Sequence, residues 1–190
     1  MNDAIPRLSA SDAVILVDVQ PDFCPGGALP IDDGDAIIPV LQGWIDAASR
    51  QGASVYASRD WHPPQHLSFI AEGGPWPSHC VQDTSGAAYH PGLSLPPQTV
   101  LVAKGTRLDV EQYSALDGTG LAIHLRGRAI QRLWIGGLAL DVCVRATVLD
   151  ARKEGFEVHV IVQGCRPVTP EGGRSAVEEM RSAGAIIVGE

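Results

Sequence analysis

The sequence predicts an α/β protein, a three-layer α/β/α arrangement around a mainly parallel six-stranded sheet. Three observations lead there. Short apolar runs alternate with stretches of helical period along most of the chain. The runs are apolar at nearly every position, as strands buried on both faces require. The chain has 190 residues, 45% of them hydrophobic and 19% charged, which is ordinary composition for one domain over residues 1–190 with a real core.

Each element has its own justification. Ala13 to Val17 is the first strand. From Ile37 the apolar residues Leu41, Trp44, Ile45 and Ala48 recur on one helical face. Pro39 belongs in that helix's first turn, where a missing N–H costs least, and Gly52 ends it. Ala53 to Ala57 is the second strand. Residues 61–98 are rich in Pro and Gly and have no period, which predicts a long functional loop region. Thr99 to Ala103 is the third strand, and a short helix is expected within 117–128. Leu133 to Ile135 is the fourth strand, closed by Gly136 and Gly137. Leu140, Val144, Val148 and Ala151 mark a helical face that Gly155 ends. Glu157 to Val162 is the fifth strand, a helix follows near 172–183, and Ala185 to Val188 is the last strand.

Alternating strands and helices imply right-handed crossovers, which bring every strand's C-terminal end to one edge of the sheet. Ligands bind at that edge. Asp18 follows the first strand, Asp60 and His62 the second, Lys104 the third, and Ala139 to Cys143 the fourth. A carboxylate, a carboxylate–imidazole pair, an amine and a thiol therefore converge. Cys143 starts a helix, where the dipole favours a thiolate, and Lys104 would favour it further. With Asp18 as general base, the three residues could form a thiol amidase or esterase triad. Backbone N–H groups at the same helix start are placed to stabilise an oxyanion. Asp60 and His62, two apart in an extended segment, can face one ion. His66 and His79 lie downstream in the same loop, and such a set suits zinc, iron or manganese. Cys24, Cys80 and Cys165 read as small buried apolar residues. His159 belongs on a strand, and His90 and His124 in local hydrogen bonds. Phe69, Trp44 and Trp134 read as packing residues.

The charge balance, 14 basic against 22 acidic residues, gives −8 and argues against nucleic acid or an anionic membrane as partner. The N-terminal segment carries Asp3 and little positive charge, and no run approaches the length of a membrane span. A soluble cytoplasmic protein with free thiols is the expectation. Self-association into a homo-oligomer stays open.

Five blocks carry a family resemblance: Val17 to Phe23, Arg59 to His66, Gly74 to Cys80, Lys104-Gly105, and Gly136 to Val144. With them, the chain from about Ala13 to Val168 resembles the nicotinamidases (pyrazinamidases) of the isochorismatase-like cysteine hydrolases. The first and last blocks are shared across that superfamily. The Asp-Trp-His block with Gly-Pro-Trp-Pro-Ser-His-Cys is the part similar to nicotinamidases. The resemblance implies Asp18 as general base, Lys104 as the triad lysine and Cys143 as the nucleophile. It implies one divalent metal on Asp60, His62 and His79, zinc first and iron or manganese otherwise. His66 stands nearer to Asp60 than the further histidine ligand of some relatives, so it is a ligand directly, through a water, or not at all. A cis peptide between Leu138 and Ala139 is implied, with the N–H groups of Ala139 and Cys143 as oxyanion hole. Phe23 and Trp76 would sandwich a pyridine ring. The implied activity is hydrolysis of nicotinamide, and of pyrazinamide, through a cysteine thioester in NAD salvage. The alternative is another amidase of the superfamily acting on a carbamoyl, ureido or other small amide. Two positions depart from the family pattern: Leu140 replaces a small hydroxyl residue, and Gln163 to Pro167 replaces an acidic-then-alanine start.

Overall fold

A computed structural model describes residues 5–189. Six strands, β1 (Asp12–Val17), β2 (Ser54–Asp60), β3 (Val100–Lys104), β4 (Arg132–Leu138), β5 (Glu157–Arg166) and β6 (Ile186–Val188), form one sheet. Every pairing in it is parallel, and the order is β3-β2-β1-β4-β5-β6. The helices are α1 (Ile38–Gln51), α2 (Leu121–Gly127), α3 (Arg145–Lys153) and α4 (Pro170–Ser182).

The layers follow from strand order. The chain runs outward from β1 to β3 in one direction and from β4 to β6 in the other. A right-handed crossover placed on one face for the first direction falls on the opposite face for the second. α1 accordingly packs Leu41, Trp44 and Ile45 on one face, against Val14, Leu16, Val55 and Ala57. α2, α3 and α4 pack Leu125, Val148 and Met180 on the other, against Ile15, Leu133, Ile135 and Val160. All six residues of β1 are buried, which explains its unbroken apolar run. No α-helix links β2 to β3, only two short 3-10 turns at Ile70–Glu72 and Ser85–Ala87. Residues 61–99 cross as a loop instead, and Cys80, Ala87 and Leu93 from it complete the α1 face.

The helix ends obey local chemistry. Pro39 lies in the first turn of α1, and Gly52 closes that helix at φ 77°, its N–H donating to Ala48 O. Thr169 caps α4 by accepting the Gly172 N–H at 3.0 Å.

Three elements differ from the sequence reading. β4 does not close at Gly136-Gly137 but runs through to Leu138. A Cβ at Gly137 would stand 2.0 Å from Val17 O, and its φ is +139°. Glycine there permits close approach of β4 to β1, so it marks packing rather than a strand end. β5 likewise continues to Arg166, with an irregular register against Ile135 and Gly137. The helix after β4 also starts differently. Leu140–Val144 is one wide turn in which Ala139 O accepts from Val142 N at 3.1 Å and Val144 N at 3.0 Å.

The strand order reverses between β1 and β4. A crevice opens at such a point beyond the C-terminal ends of the strands. β1 ends there at Asp18, and β4 ends at Ala139 to Cys143.

Candidate active site

Lys104 is the centre of the arrangement. Asp60 and Lys104 are register partners at the ends of β2 and β3, so the sheet itself places them side by side. The Lys104 ammonium is wholly buried and stands 2.6 Å from Asp60 Oδ1 and 2.8 Å from Asp18 Oδ2. It also donates to Gln112 O at 3.1 Å and faces Cys143 Sγ at 3.5 Å. A buried ammonium survives only with such compensation. Burial disfavours its charge, but Asp18 and Asp60 outweigh that and raise its pKa well above the ordinary value.

Asp18 sits just past β1 in a left-handed backbone conformation, φ 49°, its N–H bound to Ser58 O. Ser58 Oγ–H donates to Asp18 Oδ1 at 2.7 Å, which leaves Oδ2 turned to Lys104. Burial raises the Asp18 pKa, with Lys104 opposing. Cys143 lies in the wide turn, 5% exposed. Its thiol is pushed well above its usual value by burial, with Lys104 opposing and the two carboxylates adding to the rise. Burial thus opposes the lowering that the sequence reading expects from the helix start and Lys104.

Asp60 faces a second group as well. Its carboxylate and the ring nitrogens of His62 and His79 offer donor atoms within 4.8 Å of one another. Asp60 Oδ2 is 3.6 Å from His62 Nε2. His62 Nδ1–H donates to Gly105 O at 2.9 Å, and His79 Nδ1–H donates to Pro77 O at 2.7 Å. A carbonyl only accepts, so each ring carries a proton on Nδ1 and turns Nε2, not Nδ1, to an ion. Ligating histidines are oriented in this way. One carboxylate and two imidazoles fit a divalent ion such as zinc. Asp18, Asp60 and Cys143 form a second close trio, but the Lys104 ammonium already supplies its positive charge. Burial raises the Asp60 pKa, yet Lys104 and His62 outweigh it and hold the carboxyl low.

The structure does not bring His66 into this donor set. Its Nδ1 pairs with Ser68 Oγ at 2.7 Å, its Nε2–H points to Val110 O at 3.0 Å, and the ring stacks on His62 at 4.2 Å.

Phe23, Trp76, Ala139 and Cys143 line one cleft together with Asp60 and His79. The cleft measures about 480 Å³ counted to its open mouth, and Leu29, Ile31, Glu111, Tyr113, Val142 and Val168 complete the wall. Phe23 packs against the His79 ring at 5.5 Å. Trp76 Nε1–H donates to Tyr113 OH at 3.1 Å, which fixes the indole. The peptide between Leu138 and Ala139 is cis. Leu140 is buried in the core on the α3 side, so its apolar side chain supports the turn from below.

Several supporting residues escaped the sequence reading. Ser58 had a signal, since it stands two residues before Asp60 on one strand. Gln20 clamps Asp60 by accepting its N–H at 2.8 Å and donating to its carbonyl at 2.9 Å. Asp22 accepts the Cys80 N–H at 2.7 Å and so anchors the loop bearing His79. Gln112 and Tyr113 had no local signal, because tertiary folding alone carries their loop to the cleft.

Comparison with known proteins bears on this geometry. The isochorismatase domain family model matches residues 12–189. The nicotinamidase of Escherichia coli (strain K12) is 39% identical, covering 92% of this chain and 93% of that protein. The pyrazinamidase of Pyrococcus horikoshii, solved in complex with zinc, superposes with a TM-score of 0.92 at 47% identity over 95% of this chain and 99% of that one. PnC1 of L. infantum, solved in complex with nicotinate, superposes with a TM-score of 0.90 at 33% identity over 96% and 95%. With the family model spanning nearly every described residue and these likenesses running along more than nine-tenths of its length, this chain belongs to the isochorismatase domain family.

Proposed function

We propose that this chain is a nicotinamidase, an amidohydrolase that converts nicotinamide to nicotinate and ammonia and also accepts pyrazinamide. The observation that carries the reading is the sharing of Asp60. One oxygen faces the Lys104 ammonium beside Cys143, and the other faces His62 in the donor set, at one aromatic-walled cleft. A thiol amidase with no call for a metal would have no use for that second set. The likeness to nicotinamidases supports the same substrate.

Asp60, His62 and His79 would hold one divalent ion, zinc before iron or manganese. When bound, such an ion supplies a Lewis-acidic anchor for a lone pair such as that of a pyridine nitrogen. Phe23 and Trp76 close on the two faces of the heteroaromatic ring, an arrangement suited to a flat ligand. The carboxamide then lies over Cys143.

Burial disfavours a free thiolate, so the base must stand close to the sulfur. Asp18 takes the proton from Sγ, and Lys104 steadies the developing thiolate. Sulfur adds to the carboxamide carbon, and the oxyanion accepts from the N–H groups of Ala139 and Cys143. Each such donor typically contributes about 3 kcal/mol to lowering the barrier. Asp18 returns its proton to the nitrogen, the C–N bond breaks, and ammonia leaves a nicotinoyl thioester. A water that gives a proton to Asp18 adds to the thioester carbon, and nicotinate departs as the thiol is restored.

No helix among the described residues is long and apolar enough to cross a membrane. Cys24, Cys80, Cys143 and Cys165 are all free and buried. Free buried thiols suit a reducing compartment, and the reading makes the chain a cytoplasmic enzyme of NAD salvage. The test is ammonia release from nicotinamide, pyrazinamide and a panel of carbamoyl and ureido compounds, before and after chelation. The reading predicts preference for the two heteroaromatic amides, loss on chelation and recovery with zinc. Preference for a carbamoyl compound, indifferent to chelation, contradicts it.

A further inference from the structure

The loop after β3 carries a residue whose main chain meets Lys104 and whose side chain braces Gly105, the partner of His62. Gln112 is buried, and each polar group of its amide has a partner. Its Oε1 accepts the Gly105 N–H at 2.9 Å, and its Nε2–H donates to Asp117 O at 2.6 Å. Its main-chain carbonyl accepts Lys104 Nζ–H at 3.1 Å. Gly105 in turn accepts His62 Nδ1–H at 2.9 Å. One residue is thus bonded directly to Lys104 and, through a single glycine, to His62.

Gly105 leaves little freedom at that joint. Its φ is +60°, and a Cβ there would stand 2.4 Å from His62 Cε1. The backbone passes so close to the imidazole that its height over the ring sets the ring's tilt. Gln112 holds that backbone from the other side. The hydrogen bond to Gly105 O also keeps a proton on His62 Nδ1, so Nε2 is the atom left to face an ion beside Asp60. Orienting contacts of this kind change metal affinity without touching the metal.

We propose that Gln112 is a positioning residue: its side-chain acceptor on Gly105 sets His62 for the metal, while its main-chain carbonyl holds Lys104 for the thiol. The proposal rests on the metal-dependent amidase reading above. It predicts different behaviour for two variants of similar length. Gln112→Met removes the acceptor and the donor with little change of volume. Gln112→Glu keeps an Oε1 acceptor for Gly105 but turns a second acceptor oxygen toward Asp117 O in place of the donor.

The experiment measures zinc affinity of each protein by competition with a chromogenic chelator, together with kcat and KM for nicotinamide and thermal midpoints. Gln112→Met is expected to bind zinc about tenfold more weakly. Its kcat should fall by a larger factor than its KM rises. Gln112→Glu is expected to stay within about threefold of the parent in zinc affinity, because the bond orienting Gly105 survives. Zinc affinity and kcat at parental values in Gln112→Met, or Gln112→Glu as weak as Gln112→Met, overturns the proposal. Should Gln112→Met not fold, Gln112→Glu decides alone, and a loss of about tenfold there overturns it. A parent protein that neither takes zinc nor releases ammonia overturns the underlying reading as well. An active, zinc-binding parent matched by both variants removes only the role of Gln112.

Discussion

Lys104→Met removes the charge that holds the site together and leaves a side chain of similar length. In the folded protein that ammonium is wholly buried, 2.6 Å from Asp60 and 2.8 Å from Asp18. Without it, two carboxylates share one water-poor site, with the Ser58 hydroxyl still donating to Asp18. Removing one partner of a buried ion pair costs about 3–5 kcal/mol. Here two carboxylates lose the same partner, which puts the expected loss at the upper end, about 4–5 kcal/mol. For a chain of this length each kcal/mol moves Tm by about 2–4 °C, so a fall of about 8–20 °C follows. The sign with pH is fixed too. An uncompensated buried carboxyl has its folded pKa raised above the unfolded value, so the penalty grows as pH climbs from about 4 through the raised value. In the parent, the lowered Asp60 carboxyl contributes stability above the unfolded pKa and loses it in acid. Both effects make parent and variant converge toward acid. Urea unfolding of the metal-free proteins between about pH 5 and pH 8 measures this. A deficit below about 1 kcal/mol, the size of an exposed pair, or one that widens in acid refutes the reasoning.

Three further outcomes follow from the same contacts. Asp12, at the start of β1, is held down to a pKa of about 2; burial raises it, but Arg132, Ser9 and Trp134 outweigh that. Asp12→Asn should therefore cost up to about 2 kcal/mol at neutral pH, a difference that shrinks below about pH 4 and vanishes near pH 2, as acid unfolding curves would reveal. Gly105→Ala should lose both stability and zinc, since a left-handed conformation alone costs about 1–2 kcal/mol for alanine and the added methyl meets the His62 ring. Zinc titration and thermal unfolding check it, and a variant that keeps both would remove the argument for close approach. Ser58→Ala should lower kcat/KM by about tenfold through loss of the bond that turns Asp18, while Ser58→Thr keeps the hydroxyl and most of the rate.

The sheet and the residues at its edge were readable because their signals are local. A strand buried on both faces is apolar throughout, and β1 is buried at all six positions. Polar residues directly after such runs, Asp18, Asp60 and Lys104, could go nowhere but the C-terminal edge. Their register, Asp60 beside Lys104, was not readable, since parallel pairing alone fixes neither strand order nor register. Gly136 and Gly137 were misread as a strand end because glycine marks both chain breaks and close approach, and only the neighbouring strand tells them apart. Gln112, Tyr113 and Glu111 were not readable, since nothing within the 105–117 segment says that it folds back over the site. The thiol's raised pKa was missed for a related reason. The dipole is a local property of the chain, but desolvation depends on everything packed around Cys143.

Asp18, Lys104 and Cys143 lie at the point where the strand order reverses, and the metal donor set is joined to them through one carboxylate. The reaction then needs only short proton movements between Sγ, Asp18 and the leaving nitrogen. Ammonia release from nicotinamide by the zinc-loaded protein and by zinc-loaded Cys143→Ala, matched for metal content, tests this most directly. The account predicts turnover in the first and a loss on the order of 10⁴-fold or more in the second, with zinc still bound. Near-normal turnover by Cys143→Ala would move the chemistry off the thiol and contradict the account.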